Sequence, residues 1–151
     1  MKRSWLLWLA TTALISLVVG LFWFLKTDKA SVPTSDIWFV EKIVSGNQMR
    51  ISGRGKQINV QLCGVEVPAN SEQEAQLHLQ RLVDESGSQV AIAFLAQTPE
   101  GVPVVEAWIH AEKQEEESLN GLLLLKGLAI INQQTIDLCL NRDVFKREAK
   151  F

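Results

Sequence analysis

Residues 56–69 read KQINVQLCGVEVPA. Ile58, Val60 and Leu62 fall on one side of an extended chain and Gln57, Asn59 and Gln61 on the other, because successive strand side chains point to opposite faces. That alternation predicts a strand with one buried and one solvated face, the pattern of antiparallel sheets. The chain turns at Gly64, and Pro68 and Asn70 end the extended run.

Working outward, the upstream segments are of the same kind. IWFVEKIV (37–44) is apolar and β-branched and predicts a strand. Gly46-Asn47 is a strong turn signal, QMRIS (48–52) predicts a second strand, and Gly53-Arg54-Gly55 a second turn. Downstream, Ser71-Glu72-Gln73-Glu74 fits a capping box, with serine at the N-cap and glutamate three residues on. Ala75, Leu79, Leu82 and Val83 follow at helical spacing, which predicts a helix over 71–84 with Gly87 just past its end. QVAIAFLA (89–96) and VPVVEAWI (102–109) predict two more strands. The acidic run EKQEEE (112–117) reads as a solvated loop or the first turn of the next helix. SLNGLLLLKG predicts a short apolar helix stopped by Gly127, and IDLCLNRDVFKREAKF a final helix. Five short strands with a helix inserted after the third predict an α+β fold, a five-stranded OB-type β-barrel with about three helices.

The N-terminal quarter is different. Residues 4–25, SWLLWLATTALISLVVGLFWFL, carry no charge. As a helix, residues 5–25 would rise roughly 31 Å at about 1.5 Å per residue, which matches a hydrocarbon core of about 30 Å. Trp5 and Trp8 stand toward one end, and Phe22, Trp23 and Phe24 at the other, where aromatic rings favour the membrane interface. Lys2, Arg3 and the terminal amine precede the segment. Lys26 and Lys29 follow it, offset by Asp28, so the charge balance favours a cytoplasmic N-terminus. A cleaved signal peptide is the alternative, but its apolar core runs to about 7–15 residues and ends in a small-x-small site. The expected organisation is a single-pass transmembrane anchor at 1–25, a polar linker at 26–36 (KTDKASVPTSD), and a folded domain at 37–151 on the non-cytoplasmic side.

Charge narrows the function. Residues 31–151 hold 11 Lys/Arg against 16 Asp/Glu, which leaves the domain at −5. Nucleic-acid binding draws most of its affinity from cations on phosphates, so this field opposes a polyanion. No Lys/Arg cluster with interleaved aromatics is present. His78 and His110 are far apart in the chain, and no zinc site is expected from them. Cys63 and Cys139 are the only cysteines. They read as two buried thiols, with a disulfide as the alternative if the domain faces an oxidising compartment.

Three stretches resemble the staphylococcal-nuclease-like (thermonuclease) family from about Phe39 to the C-terminus. FVEKIVSGNQMRI is similar to the family's V-x-x-V-x-D-G-D-T opening, VQLCGVEVPA to its V-R-L-x-G-I-D-x-P-E, and SLNGLLLLKGLAII to its V-N-x-x-L-V-x-x-G-L-A block. The helix SEQEAQLHLQRLV falls where the family has one. The resemblance implies an OB-type barrel. It also implies a calcium ion held by aspartates and a backbone carbonyl, a glutamate that acts as base or positions water, and two transition-state arginines.

Carried over position by position, that chemistry is missing. The aspartate of G-D-T is Asn47, and the aspartate before that glycine is Ser45. The arginine of V-R-L is Gln61, the aspartate of G-I-D is Glu66, the glutamate of P-E is Ala69, and the second arginine falls on Val102. A general base contributes about 10²–10⁴-fold, and a transition-state arginine about 10³–10⁵-fold in phosphoryl transfer. Calcium wants about 6–8 oxygen ligands, of which Glu66 and the Val67 carbonyl would be nearly all that remain. Asn47, Gln61, Glu66, Ala69 and Val102 are therefore expected as vestigial positions, with no catalytic residue, metal or cofactor. The leading expectation is a membrane-anchored pseudoenzyme acting as a binding or structural module, with a protein partner in or on the membrane, as in an accessory subunit of a membrane complex. The alternatives are a weakened calcium-dependent phosphodiesterase that relies on Glu66, and a non-catalytic nucleic-acid binder.

Overall fold

The computed structural model describes residues 36–110 and 117–149. The expected anchor at 1–25, all but the last residue of the linker, and most of the acidic run lie outside these residues. Among the described residues no helix is long and apolar enough to cross a membrane.

The strands are β1 (Asp36–Ser45), β2 (Gln48–Gly53), β3 (Lys56–Leu62), β4 (Val65–Glu66), β5 (Gln89–Gln97), β6 (Pro103–Ile109), β7 (Glu117–Ser118) and β8 (Ile130–Ile131). The helices are α1 (Glu72–Glu85), α2 (Leu119–Leu125) and α3 (Arg142–Glu148). The main sheet runs β3-β2-β1-β5-β6-β7. It closes because β3 also pairs with β6 in parallel, Gln61 beside Val104 and Leu62 beside Val105. The result is a closed five-stranded barrel of β1, β2, β3, β6 and β5 with three helices, an OB-like α+β arrangement. Closure matters physically, because it leaves the five strands without a long unpaired edge.

The alternation of β3 is realised as expected. Val60 and Leu62 are fully buried, while Gln57 and Asn59 are exposed. Met49 and Ile51 of β2, Val40 and Ile43 of β1, Val90 and Ile92 of β5, and Val105 of β6 complete the same core. Trp38 packs edge-on against Phe94, with ring centroids 5.6 Å apart. Gly53 makes room for the indole, since a Cβ there would lie 2.8 Å from Trp38 Cε3.

Helix α1 buries Ala75, Leu79 and Val83 on one stripe. Emptying one such site, as in Leu79→Ala, costs about 2–5 kcal/mol. Its expected capping box does not form. Ser71 occupies the N-cap position with helical backbone angles and makes no side-chain cap bond. Its own N–H is given to the Pro68 carbonyl at 2.9 Å, so the Pro68 turn already fixes the chain here. Helix α2 ends as its glycine predicted. Gly127 takes a φ of 71°, its N–H reaches the Leu124 carbonyl, and the Leu128 N–H reaches the Leu123 carbonyl. This is the Schellman arrangement, which needs a left-handed residue at that position.

Two expectations for the C-terminal segment are corrected. The final helix does not run through IDLCLNRDVFKREAKF. Ile136–Leu138 forms one 3-10 turn, Cys139 is extended, and only Arg142–Glu148 is α-helical. The cysteines are not free thiols: Cys63 and Cys139 form a disulfide, with Cα atoms 5.8 Å apart. The two corrections have one cause. Cys139 is tethered to the end of β3, and the N–H groups that would continue a helix are committed to Glu106.

Candidate functional site

The positions expected to be vestigial gather where the barrel closes, and only in part. The Gly46-Asn47 turn joins β1 to β2. The Asn47 carbonyl accepts the Leu62 N–H at 2.9 Å, and the neighbouring Gln48 pairs with Gln61. The Asn47 side chain donates through Nδ2 to the Val65 carbonyl at 3.3 Å, one residue before Glu66. Its Oδ1 accepts from the Ser45 hydroxyl at 3.2 Å. Asn47, Gln61 and the β4 backbone beside Glu66 are thus linked. Ala69 is exposed in the turn ahead of α1. Val102 bonds to Thr98 across the β5–β6 turn, through its carbonyl at 2.8 Å and its N–H at 3.2 Å. No hydrogen bond ties Ala69 or Val102 to the other three.

These residues do not fit a calcium ion. Among the described residues, the carboxylates retained at or bonded to these positions are Glu66, exposed on β4, and Glu72 at the start of α1. Glu72 Oε1 is already taken by the Gly46 N–H at 2.7 Å. Gly46 itself is packed, since a Cβ there would lie 2.9 Å from Val67 Cγ1 and 3.0 Å from Ala75 Cβ. The turn is therefore tied to α1 through Glu72 and to β4 through the Asn47 side chain.

A second polar assembly lies behind the first, and sequence reading did not single it out. Glu106 of β6 is fully buried. Its Oε2 accepts the Leu140 N–H at 2.7 Å and the Asn141 N–H at 3.2 Å, and its Oε1 accepts the Asn141 side-chain amide at 2.6 Å. Burial holds its pKa above the usual carboxylate value, and the Asn141 and Leu140 hydrogen bonds oppose that rise. Asn120, also fully buried, donates to the Cys63 carbonyl at 2.8 Å and accepts the Ala107 N–H at 3.2 Å. The only signal for either residue was a lone polar side chain inside an apolar run, VPVVEAWI and SLNGLLLL. Such a residue must find partners when it is buried.

Gly64 joins the two assemblies. Its φ is 69° and a Cβ on it would lie 2.8 Å from Cys139 Sγ, so both conformation and space call for glycine. Cys63, Cys139 and Glu106 present ligand-type atoms within 4.8 Å of one another. The two sulfurs, however, are bonded to each other, and the carboxylate is filled by three donors. The cluster is structural.

Of the histidines, His78 is half-buried on α1 with its Nδ1 2.9 Å from Arg81. Burial, Arg81 and Lys126 lower its pKa. His110 directly follows β6 with a φ of 59°. Compared with known proteins, the chain matches no family model and no curated protein.

Proposed function

We propose that the chain is a membrane-anchored, non-catalytic thermonuclease-like protein whose barrel serves as a binding or structural module, in the manner of an accessory subunit of a membrane complex. One observation carries this reading. Asn47 stands where the resemblance expects a metal-binding aspartate, and its amide is spent on the Val65 carbonyl and the Ser45 hydroxyl. An amide in place of a carboxylate brings no negative charge to a cation, and its Nδ2 is engaged by the Val65 carbonyl. The charge of −5 argues against nucleic acid as the ligand. The Cys63–Cys139 disulfide agrees with a domain held outside the reducing cytoplasm. Residues 5–25 are the anchor in this reading.

The test is an assay of the full-length protein in detergent with single- and double-stranded DNA and RNA at millimolar calcium. The expected result is no cleavage above that of a Glu66→Ala control. Calcium-dependent cleavage that disappears in Glu66→Ala would overturn the reading in favour of a weakened phosphodiesterase. Extraction of membranes at alkaline pH checks the anchor separately, and release of the chain into the supernatant would refute it.

A further inference from the structure

A groove of about 470 Å³ lies between α2 and α3. Its walls are mainly apolar: Trp108 of β6, Leu122 and Leu125 of α2, and Val144 and Phe145 of α3. Leu125 is 61% exposed, so this wall of the groove is open to a partner. Two carboxylates, Glu117 and Glu148, also line the groove, and among the described residues no lysine or arginine does.

Glu148 is the informative member. Its Oε2 is buried and has no hydrogen-bond partner. A carboxylate oxygen removed from water without a donor is costly. The fold nevertheless makes room for it. A Cβ on Gly121 would lie 2.7 Å from Glu148 Oε2 and 3.3 Å from Phe145 Cε1. Glycine inside a helix costs roughly 0.5–1 kcal/mol relative to alanine. Here that cost leaves space for an acidic side chain that no lysine or arginine meets among the described residues. None of these residues belongs to the vestigial positions around Asn47.

We propose that this groove docks a protein segment that presents an arginine between apolar side chains. Charge complementarity selects the occupant, because two carboxylates with no lysine or arginine among the described lining residues favour a cationic group, and the apolar walls favour its flanks. Arginine suits the site better than lysine. Its guanidinium is weakly hydrated, meets a carboxylate with paired donors, and stacks on an aromatic surface such as Trp108 offers. The proposal deepens the reading of the chain as a binding module and rests on it.

The test pans a random peptide library against the full-length protein in nanodiscs. Recovered peptides should carry an arginine flanked by leucine, isoleucine or phenylalanine. Binding should fall at least about 10-fold in Glu148→Gln, since removing one partner of a desolvated charge pair is expensive. Replacing the peptide arginine by citrulline should have the same effect. Leu125→Asn alters an exposed wall residue without adding charge and should weaken binding without affecting the fold. Leu77→Asn, equally exposed but on α1, should leave binding within about twofold. Peptides without a basic residue, failure to recover any binder, or binding retained in both Glu148→Gln and Leu125→Asn would overturn the proposal. The module reading fails separately: calcium-dependent cleavage would refute it even if arginine peptides bind this groove.

Discussion

Glu106 and Leu140 stand 34 positions apart in sequence, and the Glu106 carboxylate accepts the Leu140 N–H at 2.7 Å. With the two bonds from Asn141, this contact holds the chain in a non-helical path between the disulfide and α3. Charge-assisted bonds of this kind are about twice as strong as neutral ones. They are made by a carboxylate that burial would prefer to protonate.

The pH dependence follows from that conflict. The native pKa of Glu106 is raised above its ordinary value of 4.5, so the folded protein binds this proton more tightly than the unfolded chain. The contribution of Glu106 to stability is therefore greatest below 4.5 and declines as pH rises through the native pKa. Urea unfolding of the wild type and Glu106→Gln across this window should show their difference shifting toward the wild type as the solution is acidified. A difference that is flat with pH would refute the assignment. Glu106→Ala strands three neutral donors, each worth about 1–3 kcal/mol when left buried and unpaired, and should destabilise the fold.

Cys63 and Cys139 close a loop with a sequence separation of 76. Chain-entropy arguments assign a loop of this size about 4 kcal/mol. Cys63→Ser with Cys139→Ser should lower stability by roughly that amount in non-reducing urea titrations. The same double variant should unfold identically with and without reductant, while the wild type should weaken on reduction. Equal stability of wild type and variant under oxidising conditions would show that the bond does not form.

Two serines stand at helix N-caps, and only one is used. The Ser118 side chain accepts the Gly121 N–H, whereas Ser71 makes no side-chain cap bond. Ser118→Ala should cost about 1 kcal/mol, and Ser71→Ala should fall within about 0.5 kcal/mol of wild type. Thermal or urea midpoints decide this, and a larger loss at Ser71 would restore the capping box that its sequence suggests.

The contrast between these serines shows which features the sequence made legible. Period-two alternation at Ile58, Val60 and Leu62, and the stripe of Ala75, Leu79 and Val83, are local patterns, and they placed the strands and α1 correctly. Ser71 matched a local pattern too, but Pro68 had already claimed its backbone N–H. The path of residues 136–141 is set by Glu106 and Cys63, which hold Leu140, Asn141 and Cys139 from 34 or more positions away, so a helical reading of that segment had nothing local to correct it. The positions expected to be vestigial rest on departures from a family pattern, which no local periodicity or burial supplies. The Glu148 oxygen was not legible, because its burial depends on Gly121 of another helix.

The sharpest test of the pseudoenzyme reading is to restore a carboxylate where the resemblance expects one. Asn47→Asp is nearly isosteric, but it replaces the Nδ2 donor with an oxygen facing the Val65 carbonyl, now 3.3 Å away. It also places a negative charge close to Glu72, whose carboxylate accepts the adjacent Gly46 N–H. Loss of the donor and repulsion between oxygens should cost about 1–3 kcal/mol. A competent calcium site would recover that loss, because a ligand bound only by the folded state stabilises it in proportion to the logarithm of its concentration over Kd. With Gln61 and Ala69 unchanged, too few oxygens are available for that. The urea midpoint of Asn47→Asp should therefore fall below wild type and stay there as calcium is raised into the millimolar range. A midpoint that climbs with calcium would reveal a latent metal site one substitution away, and the turn at Gly46-Asn47 would then have to be read as a disabled centre rather than a structural tie.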